Sequence, residues 1–299
     1  MAITVFSRPT WPRLRSIPAG LLLAGLLGGA GGCASQPEAP RIAQANSLAL
    51  AETAQRLAAL LPLDVLLLGE QHDAPEHQAI EAQVVSDLAA RGLLAAVALE
   101  MADAGASTAA LKPSATELQV RSALRWDEAG WPWASYGPAV MAAVKAGIPV
   151  MGANLPRIDM RASMQDSKLD AQLPGPALKA QQQLIRIGHC DLLPESQITP
   201  MTRIQIAKDV TMANTLAQAV VPGKTVLLLS GSGHSDRFLG VPQHLPRPLK
   251  VKAVRLLAGN SDQPGEFDAV WRTSALPDTD YCAGLRQQFA PKGGAPAKP

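Results

Sequence analysis

A glutamate and two histidines follow short apolar segments and carry side chains that could do chemistry. Glu70 and His72 come directly after segment 64–69, and His234 follows segment 225–229 in a turn rich in glycine and serine. If the chain stays extended at Glu70 and His72, both side chains project to one face. A carboxylate beside an imidazole can ligate a divalent metal, form an acid–base pair or hold a polar ligand. The alternative is structural: Glu70 would cap the following helix, and His72 would satisfy a nearby carbonyl group.

Glu100 and Asn154 also end short apolar runs. The residues before Glu100 are apolar or small, so we expect its carboxylate to be buried and to need a partner. Arg157 is the predicted partner, and both a structural ion pair and a role in ligand binding remain open. Asp209, like Asn154 and Arg157, is a weaker candidate for the same site.

The elements that must position these residues are strands of a sheet buried on both faces. Short, uniformly apolar runs that break into glycine-containing turns are typical of a parallel sheet between layers of helices. Their alternation with helical segments predicts a single α/β domain over residues 41–289, with a central, mostly parallel sheet flanked by helices. Ligands bind outside the carboxyl ends of such strands. One crevice is therefore expected to be lined by Glu70, His72, Glu100, Asn154 and His234.

Helical patterns fill the segments between the apolar runs. We expect helices over residues 41–61, 75–91, 136–145, 157–169, 176–187 and 199–219. A capping-box pattern from Ser114 to Glu117 predicts a further helix that ends near Trp126. Segments 250–257 and 267–273 are expected to be later strands, at the edge of the sheet or antiparallel.

Two other features could support a function. Ser232 lies in a strand-to-turn position, but Ser230 replaces the first glycine of the nucleophile-elbow pattern, which disfavours serine hydrolysis. Segment 126–136 contains three of the five tryptophans and one of the two tyrosines. Core packing is the favoured interpretation. The alternative is a surface for a flat hydrophobic ligand such as a porphyrin, with Tyr136 as an iron ligand and His189 as a further potential ligand.

The N-terminal segment predicts export and lipid attachment. A basic region without acidic residues precedes the apolar stretch 17–30, and small residues lead to Cys33. We expect a signal peptide with a lipobox-like end at residues 1–32, lipid attachment at Cys33 and a tether at 33–40, with ordinary signal cleavage as the alternative. The residue after Cys33 is not aspartate, which favours the outer membrane, facing the periplasm. Residues 290–299 are expected to be a disordered tail.

Charge and cysteine content limit the possible partners. Without residues 1–32 the chain has 24 basic and 25 acidic residues, and it has no basic stripe, which argues against nucleic-acid binding. Cys190 and Cys282 could form a disulfide in an oxidising compartment or remain two buried thiols.

The order of these motifs resembles the ChaN-like haem-binding uptake lipoproteins over about residues 45–260. The matching segments are 67–73, 99–101, 126–136, 153–157, 205–213, 230–234 and 240–242. The resemblance implies a membrane-anchored α/β protein in haem or iron uptake, with haem bound at a homodimer interface through a tyrosine and a histidine. It also implies an outer-membrane haem receptor as a partner. The tyrosines available are Tyr136 and Tyr281.

The broader superfamily, shared with Tiki proteases, TraB-type proteins and erythromycin esterases, implies a different activity. Its Gly-x-x-His motifs correspond to Gly69–His72 and Gly231–His234. A metal-dependent peptidase or esterase would hold Mn, Co or Zn with His72, Glu70, Glu100 and His234. Haem carriage, metallohydrolysis and an envelope interaction module with a vestigial crevice are thus the functions left open by the sequence.

Overall fold

A computed structural model describes residues 51–261 and 264–289. The predicted signal peptide at 1–32, the tether at 33–40, the lipidation site Cys33 and the tail at 290–299 lie outside these residues. Within the described part of the chain, no helix combines the length and apolar character needed to cross a bilayer.

In the described part of the chain, six strands form one sheet in which every neighbouring pair is parallel, in the order β3-β2-β4-β1-β5-β6. The strands are β1 (Val65–Glu70), β2 (Leu94–Asp103), β3 (Val150–Asn154), β4 (Thr225–Gly231), β5 (Val251–Ala258) and β6 (Ala269–Thr273). The predicted α/β class is confirmed. The expectation for the last two strands is wrong for β5, which lies inside the sheet and pairs with β1 and β6. It is half right for β6, which is an edge strand but runs parallel.

The helices follow the predicted pattern with differences at their ends. They are α1 (residues 51–58), α2 (Pro75–Ala90), α3 (Glu117–Ala123), α4 (Trp133–Lys145), α5 (Met160–Gln165), α6 (Gly175–Gly188), α7 (Glu195–Ala219), α8 (Ser232–Ser235) and α9 (Cys282–Phe289). The capping box is formed by Thr116 and Gln119, whose side chains bond each other's backbone N–H groups, so the prediction from Ser114 was misplaced. The helix expected over 157–169 is broken, because the Asp166 side chain accepts a hydrogen bond from the Lys168 N–H and starts a new 3₁₀ turn.

Alternate residues of the strands pack against helices on opposite faces. Leu66 and Leu68 of β1 face a core formed with α2, α3 and α4, which we call the first layer. Val65 and Leu67 face a core formed with the C-terminal half of α7, the second layer. Burial of β1 on both faces accounts for its uninterrupted apolar sequence.

A disulfide joins the α6–α7 loop to α9. Cys190 and Cys282 are bonded with their Cα atoms 5.9 Å apart. Of the two states open from the sequence, the described structure therefore has the bridge. Cys190 and the next residue, Asp191, both have positive φ values, 59° and 57°.

Candidate functional site

The predicted convergence of side chains occurs at the carboxyl ends of three adjacent strands. β4 lies between β1 and β2, and Glu70 is paired in register with Gly231. The Gly231 N–H donates a hydrogen bond to Glu100 Oε2 at 2.7 Å. β2 continues past Glu100 to Asp103, and this bond joins Glu100 to the last residue of β4. The polar residues after these strands therefore meet in one place, as expected of a parallel sheet.

Glu70 is a buried carboxylate with three side-chain donors around it. It is 1% exposed, and its Oε1 accepts hydrogen bonds from His72 Nδ1 and from the Tyr136 hydroxyl, each at 2.8 Å. Gln78 of α2 donates to Oε2. The suggested capping role is not observed, because the N-cap of α2 is Ala74 and has no side-chain cap. Burial is the main cause that raises the pKa of Tyr136 far above its usual value, and the Glu70 carboxylate adds to it.

His234 lies between two buried carboxylates. Its Nδ1 is 2.5 Å from Asp209 Oδ1, and its Nε2 is 3.2 Å from Glu100 Oε1. Burial lowers the pKa of His234, but the charges of Glu100 and Asp209 and their hydrogen bonds outweigh it and raise the pKa to about 10. At neutral pH His234 is therefore an imidazolium with both nitrogens engaged.

The two carboxylates respond to their surroundings in opposite directions. Burial raises the pKa of Glu100, but His234, His72 and the Gly231 N–H outweigh this and hold that pKa far below its usual range. Burial also raises the pKa of Asp209, and here it prevails over the attraction of His234, so that the pKa is about 6. Of these two carboxylates, Asp209 is thus the one whose charge changes nearer to neutral pH.

His72 connects the two halves of the site and reaches solvent. Its side chain is 39% exposed, and its Nε2 is 3.8 Å from Glu100 Oε2. Burial lowers its pKa, but Glu70 and Glu100 outweigh burial, and the net shift is upward. A Cβ atom at Gly231 would lie 2.9 Å from His72 Nε2, so glycine makes room for the ring. Carboxylates and imidazoles consequently alternate in what we call the carboxylate–histidine chain: Asp209, His234, Glu100, His72 and Glu70, ending at Tyr136.

The remaining residues predicted for the site have different positions. Asn154 joins it, since its Nδ2 donates to the Glu100 carbonyl oxygen at 2.9 Å. Arg157 is exposed and forms no ion pair with Glu100 among the described residues, so the predicted pair is wrong. The carboxylate of Glu100 instead contacts His72, which follows β1, and His234 and the Gly231 N–H at the end of β4. His189 lies at the C-cap of α6, where its Nδ1 is 2.8 Å from the Ile185 carbonyl oxygen, and it is not part of the carboxylate–histidine chain.

Glu81 of α2 is a residue that sequence reasoning did not identify. It is 0% exposed, and neither carboxyl oxygen has a hydrogen-bond partner in the described structure. Burial, assisted by the Glu70 charge, raises its pKa well above the usual value. Its sequence signal was weak: it is three residues from Gln78, which places both on one face of α2.

The aromatic segment is mainly core, in agreement with the favoured interpretation. Trp133 and Tyr136 are buried in the first layer, and Trp126 and Trp131 pack partly buried against it. Trp131 also meets His72 edge to face, with ring centroids 4.9 Å apart. One edge of this aromatic cluster therefore borders the exposed side of the site.

A tyrosine from the C-terminal region reaches the loop after β1. Tyr281 is 63% exposed, and its hydroxyl donates to Asp73 Oδ2 at 2.5 Å. Asp73 follows His72 directly, so the exposed phenol of Tyr281 contacts the residue next to His72. Sequence separation gave no indication of this, because the position of Tyr281 depends on the disulfide at the next residue.

Among the described residues, no group of three or more histidine, cysteine and acidic side chains is arranged to hold a metal ion. The contacts explain why. His72 Nδ1 is bonded to Glu70, and both nitrogens of His234 face carboxylates. The imidazoles pair with the acids rather than pointing lone pairs at a common centre.

Comparison with known proteins identifies relatives. A family model described as haem-binding uptake, Tiki superfamily, ChaN matches residues 56–245. The chain is similar to a solved structure titled "Cofacial heme binding to ChaN of Campylobacter jejuni", with 27% identity and a TM-score of 0.60 over 70% of this chain and 87% of that chain. It also matches the type III effector HopBA1, with 16% identity and a TM-score of 0.43 over 71% and 88% of the two chains. No curated protein sequence matches the chain.

Proposed function

The chain belongs to the haem-binding uptake family of the Tiki superfamily that includes ChaN, and on this premise we propose that it binds haem at the carboxyl edge of its sheet. The observation that carries the proposal is the family match over residues 56–245, which spans the strands and the α7 residues that build the site. The similarity to a ChaN structure whose title names haem binding supports it.

The side chains at this edge fit a haem. His72 is partly exposed, with its Nδ1–H group held by Glu70, and a histidine anchored in this way has a fixed ring orientation and a more basic second nitrogen. Trp131 beside it offers apolar ring surface to a porphyrin. Tyr281 adds an exposed phenol, which is also a known type of iron ligand.

These positions rank the candidate ligands. His72 and Tyr281 are exposed, whereas Tyr136 is buried with its O–H group bonded to Glu70. Tyr136 and His189 stay predictions, and the geometry favours His72 and Tyr281. The bound haem supplies an iron centre that takes an imidazole or phenolate ligand. The protein supplies the ligands, their orientation and the apolar contact.

The cellular role follows from the N-terminal sequence and from the disulfide. We propose that Cys33 is lipidated and that the protein works at the outer membrane, facing the periplasm, in haem or iron uptake with a haem receptor and as a homodimer. The Cys190–Cys282 bridge supports an oxidising compartment of this kind. Loss of fatty-acid labelling in Cys33→Ser would be expected, and equal labelling of that variant would contradict the anchor.

A metal-dependent hydrolase is not favoured, because both nitrogens of His234 are engaged by carboxylates and no group of side chains among the described residues is arranged to hold a metal ion.

Haemin titration of the purified protein tests the proposal. We expect a saturable shift of the Soret band at a defined stoichiometry. His72→Ala and Tyr281→Phe should weaken binding, whereas His244→Gln, a histidine outside the site, should not. A weak response that does not saturate would overturn haem binding. Equal affinity of the wild type and of both site variants would leave haem bound but move it away from this edge.

A further inference from the structure

The segment after β6 connects the two helix layers across the carboxyl edge of the sheet. We call residues 274–289 the C-terminal strap. Its backbone begins beside the first layer, where the Ser274 N–H donates to Glu76 at the start of α2. It continues to Tyr281, which bonds Asp73, and then to Cys282, which is bonded to Cys190 in the loop between α6 and α7.

The helices place these anchor points on opposite sides of the site. α2 packs in the first layer through Val84 and Leu88, and α7 packs in the second layer through Met212. α7 precedes the amino end of β4, so its N-terminal half rises beyond the carboxyl edge and carries the α6–α7 loop with it. The strap therefore passes Asp73, the residue that follows His72 in the chain.

Burial does not hold the strap in place. No residue of α9 is buried, and Tyr281 itself is mostly exposed. Ala275 lies against Gly259, and Leu276 and Leu285 are half-buried. The polar and covalent contacts of the strap with the rest of the described domain are the Ser274 and Tyr281 hydrogen bonds and the disulfide. An exposed hydrogen bond contributes little on its own. The covalent link is therefore the contact that keeps Tyr281 beside Asp73.

We propose that the Cys190–Cys282 disulfide is a redox latch that holds Tyr281 at the haem site and that its reduction releases the strap and weakens haem binding. This proposal rests on the proposed function. The strap and Cys282 lie outside residues 56–245, which the family model matches, whereas Cys190 lies inside them.

The switching reaction is thiol–disulfide exchange with a dithiol reductant. One thiolate of the dithiol attacks a sulfur of the bridge, and a mixed disulfide forms. The second thiolate resolves the mixed disulfide, so that the dithiol is oxidised to a disulfide. Cys190 and Cys282 take up two electrons and two protons and become thiols. After reduction, only non-covalent contacts hold the strap to the rest of the domain.

The first experiment does not require haem. The ionisation of Tyr281 can be followed by phenolate absorbance, because buried Tyr136 does not titrate in the same range. The hydrogen bond to Asp73 raises the pKa of Tyr281 in the bridged protein. Reduction with dithiothreitol, or the Cys282→Ser substitution, should return that pKa to the ordinary value and increase amide hydrogen exchange in residues 274–289. An unchanged pKa and unchanged exchange would overturn the latch.

The second experiment measures haemin affinity in the oxidised wild type, the reduced wild type, Cys282→Ser and Tyr281→Phe. We expect the dissociation constant to rise about tenfold on reduction and in Cys282→Ser, the loss of about one good contact. Tyr281→Phe keeps the bridge and is the matched control: it should weaken binding without further sensitivity to dithiothreitol. Equal affinity of oxidised and reduced wild type overturns the latch while haem binding stands. Failure of every form to bind haem overturns the proposed function and with it the latch's effect on haem.

Discussion

Replacing His234 by glutamine should lower the free energy of unfolding by several kilocalories per mole, because His234 is the positive charge between buried Glu100 and Asp209. Removing one partner from a buried ion pair leaves an uncompensated charge and typically costs about 3–5 kcal/mol. For a domain of this size each kcal/mol lowers Tm by about 2–4 °C, so the expected decrease is about 6–20 °C. Asp209, whose pKa burial already raises to about 6, can become protonated in the variant. This removes part of the uncompensated negative charge, so we expect a decrease in Tm near the lower end of that range.

The pH dependence of this loss provides a sharper test than its size. The pKa of His234 is raised from 6.5 to about 10 on folding, so its charge stabilises the folded state fully below pH 6.5. This contribution declines as the pH rises toward 10. The difference in Tm between the wild type and His234→Gln should accordingly be large at pH 6 and much smaller at pH 10, measured by thermal unfolding under circular dichroism.

His244 offers a matched control, because burial lowers its pKa rather than raising it. A neutral buried histidine destabilises the fold as the pH falls below its unfolded pKa, so His244→Gln should become relatively more stable in acid. The reasoning would be refuted if His234→Gln unfolded within 2 °C of the wild type at pH 6. A difference in Tm that is the same at pH 6 and pH 10 would also refute it.

Three further outcomes are expected. Tyr136→Phe removes the hydroxyl that donates to Glu70 and should lower the free energy of unfolding by about 1–3 kcal/mol in urea titrations, with no loss of cooperativity; an unchanged midpoint would contradict this. Glu81→Gln should raise Tm increasingly from pH 5 to pH 8, because the folded state must otherwise keep this buried carboxyl protonated while the unfolded chain ionises it; no gain at pH 8 would mean that Glu81 is charged in the fold. Gly231→Ala should lower the free energy of haemin binding by more than the free energy of unfolding obtained from Tm, since the new methyl group displaces the His72 ring; unchanged haemin affinity would place the haem away from this ring.

The sequence was sufficient to predict the sheet and the central part of the site. Uniformly apolar runs identify doubly buried strands, and parallel strands bring the residues after them to one edge, which is why Glu70, His72, Glu100 and His234 were correctly expected to meet. The order of the central strands was not predictable, because β1, β2 and β4 are each buried on both faces and give no preference for a neighbour.

Partners contributed by helices were harder to predict. Arg157 is the partner predicted for the buried carboxylate of Glu100, but Glu100 pairs with His234, whose position depends on the order of the strands. Asp209 and Glu81 lie on helices in which a few buried polar residues alternate with buried apolar ones. Their roles therefore depend on tertiary packing. The Tyr281 position additionally requires the disulfide, and the Cα separation that permits a bridge cannot be obtained from sequence spacing.

The position of β1 in the sheet has a consequence for how the protein reaches its native state. Among the described strands β1 comes first in the sequence, yet its neighbours are β4 and β5, with Val65 opposite Val226 and Val251. The centre of the sheet can therefore form only when the chain from β1 to β5 is present, because both partners of β1 are far from it in the sequence. Loop-closure entropy makes such distant pairings slow, and the early strands remain exposed to misassembly until then. A fragment that ends before residue 225 lacks both neighbours of β1 and should not form a reduced version of this fold.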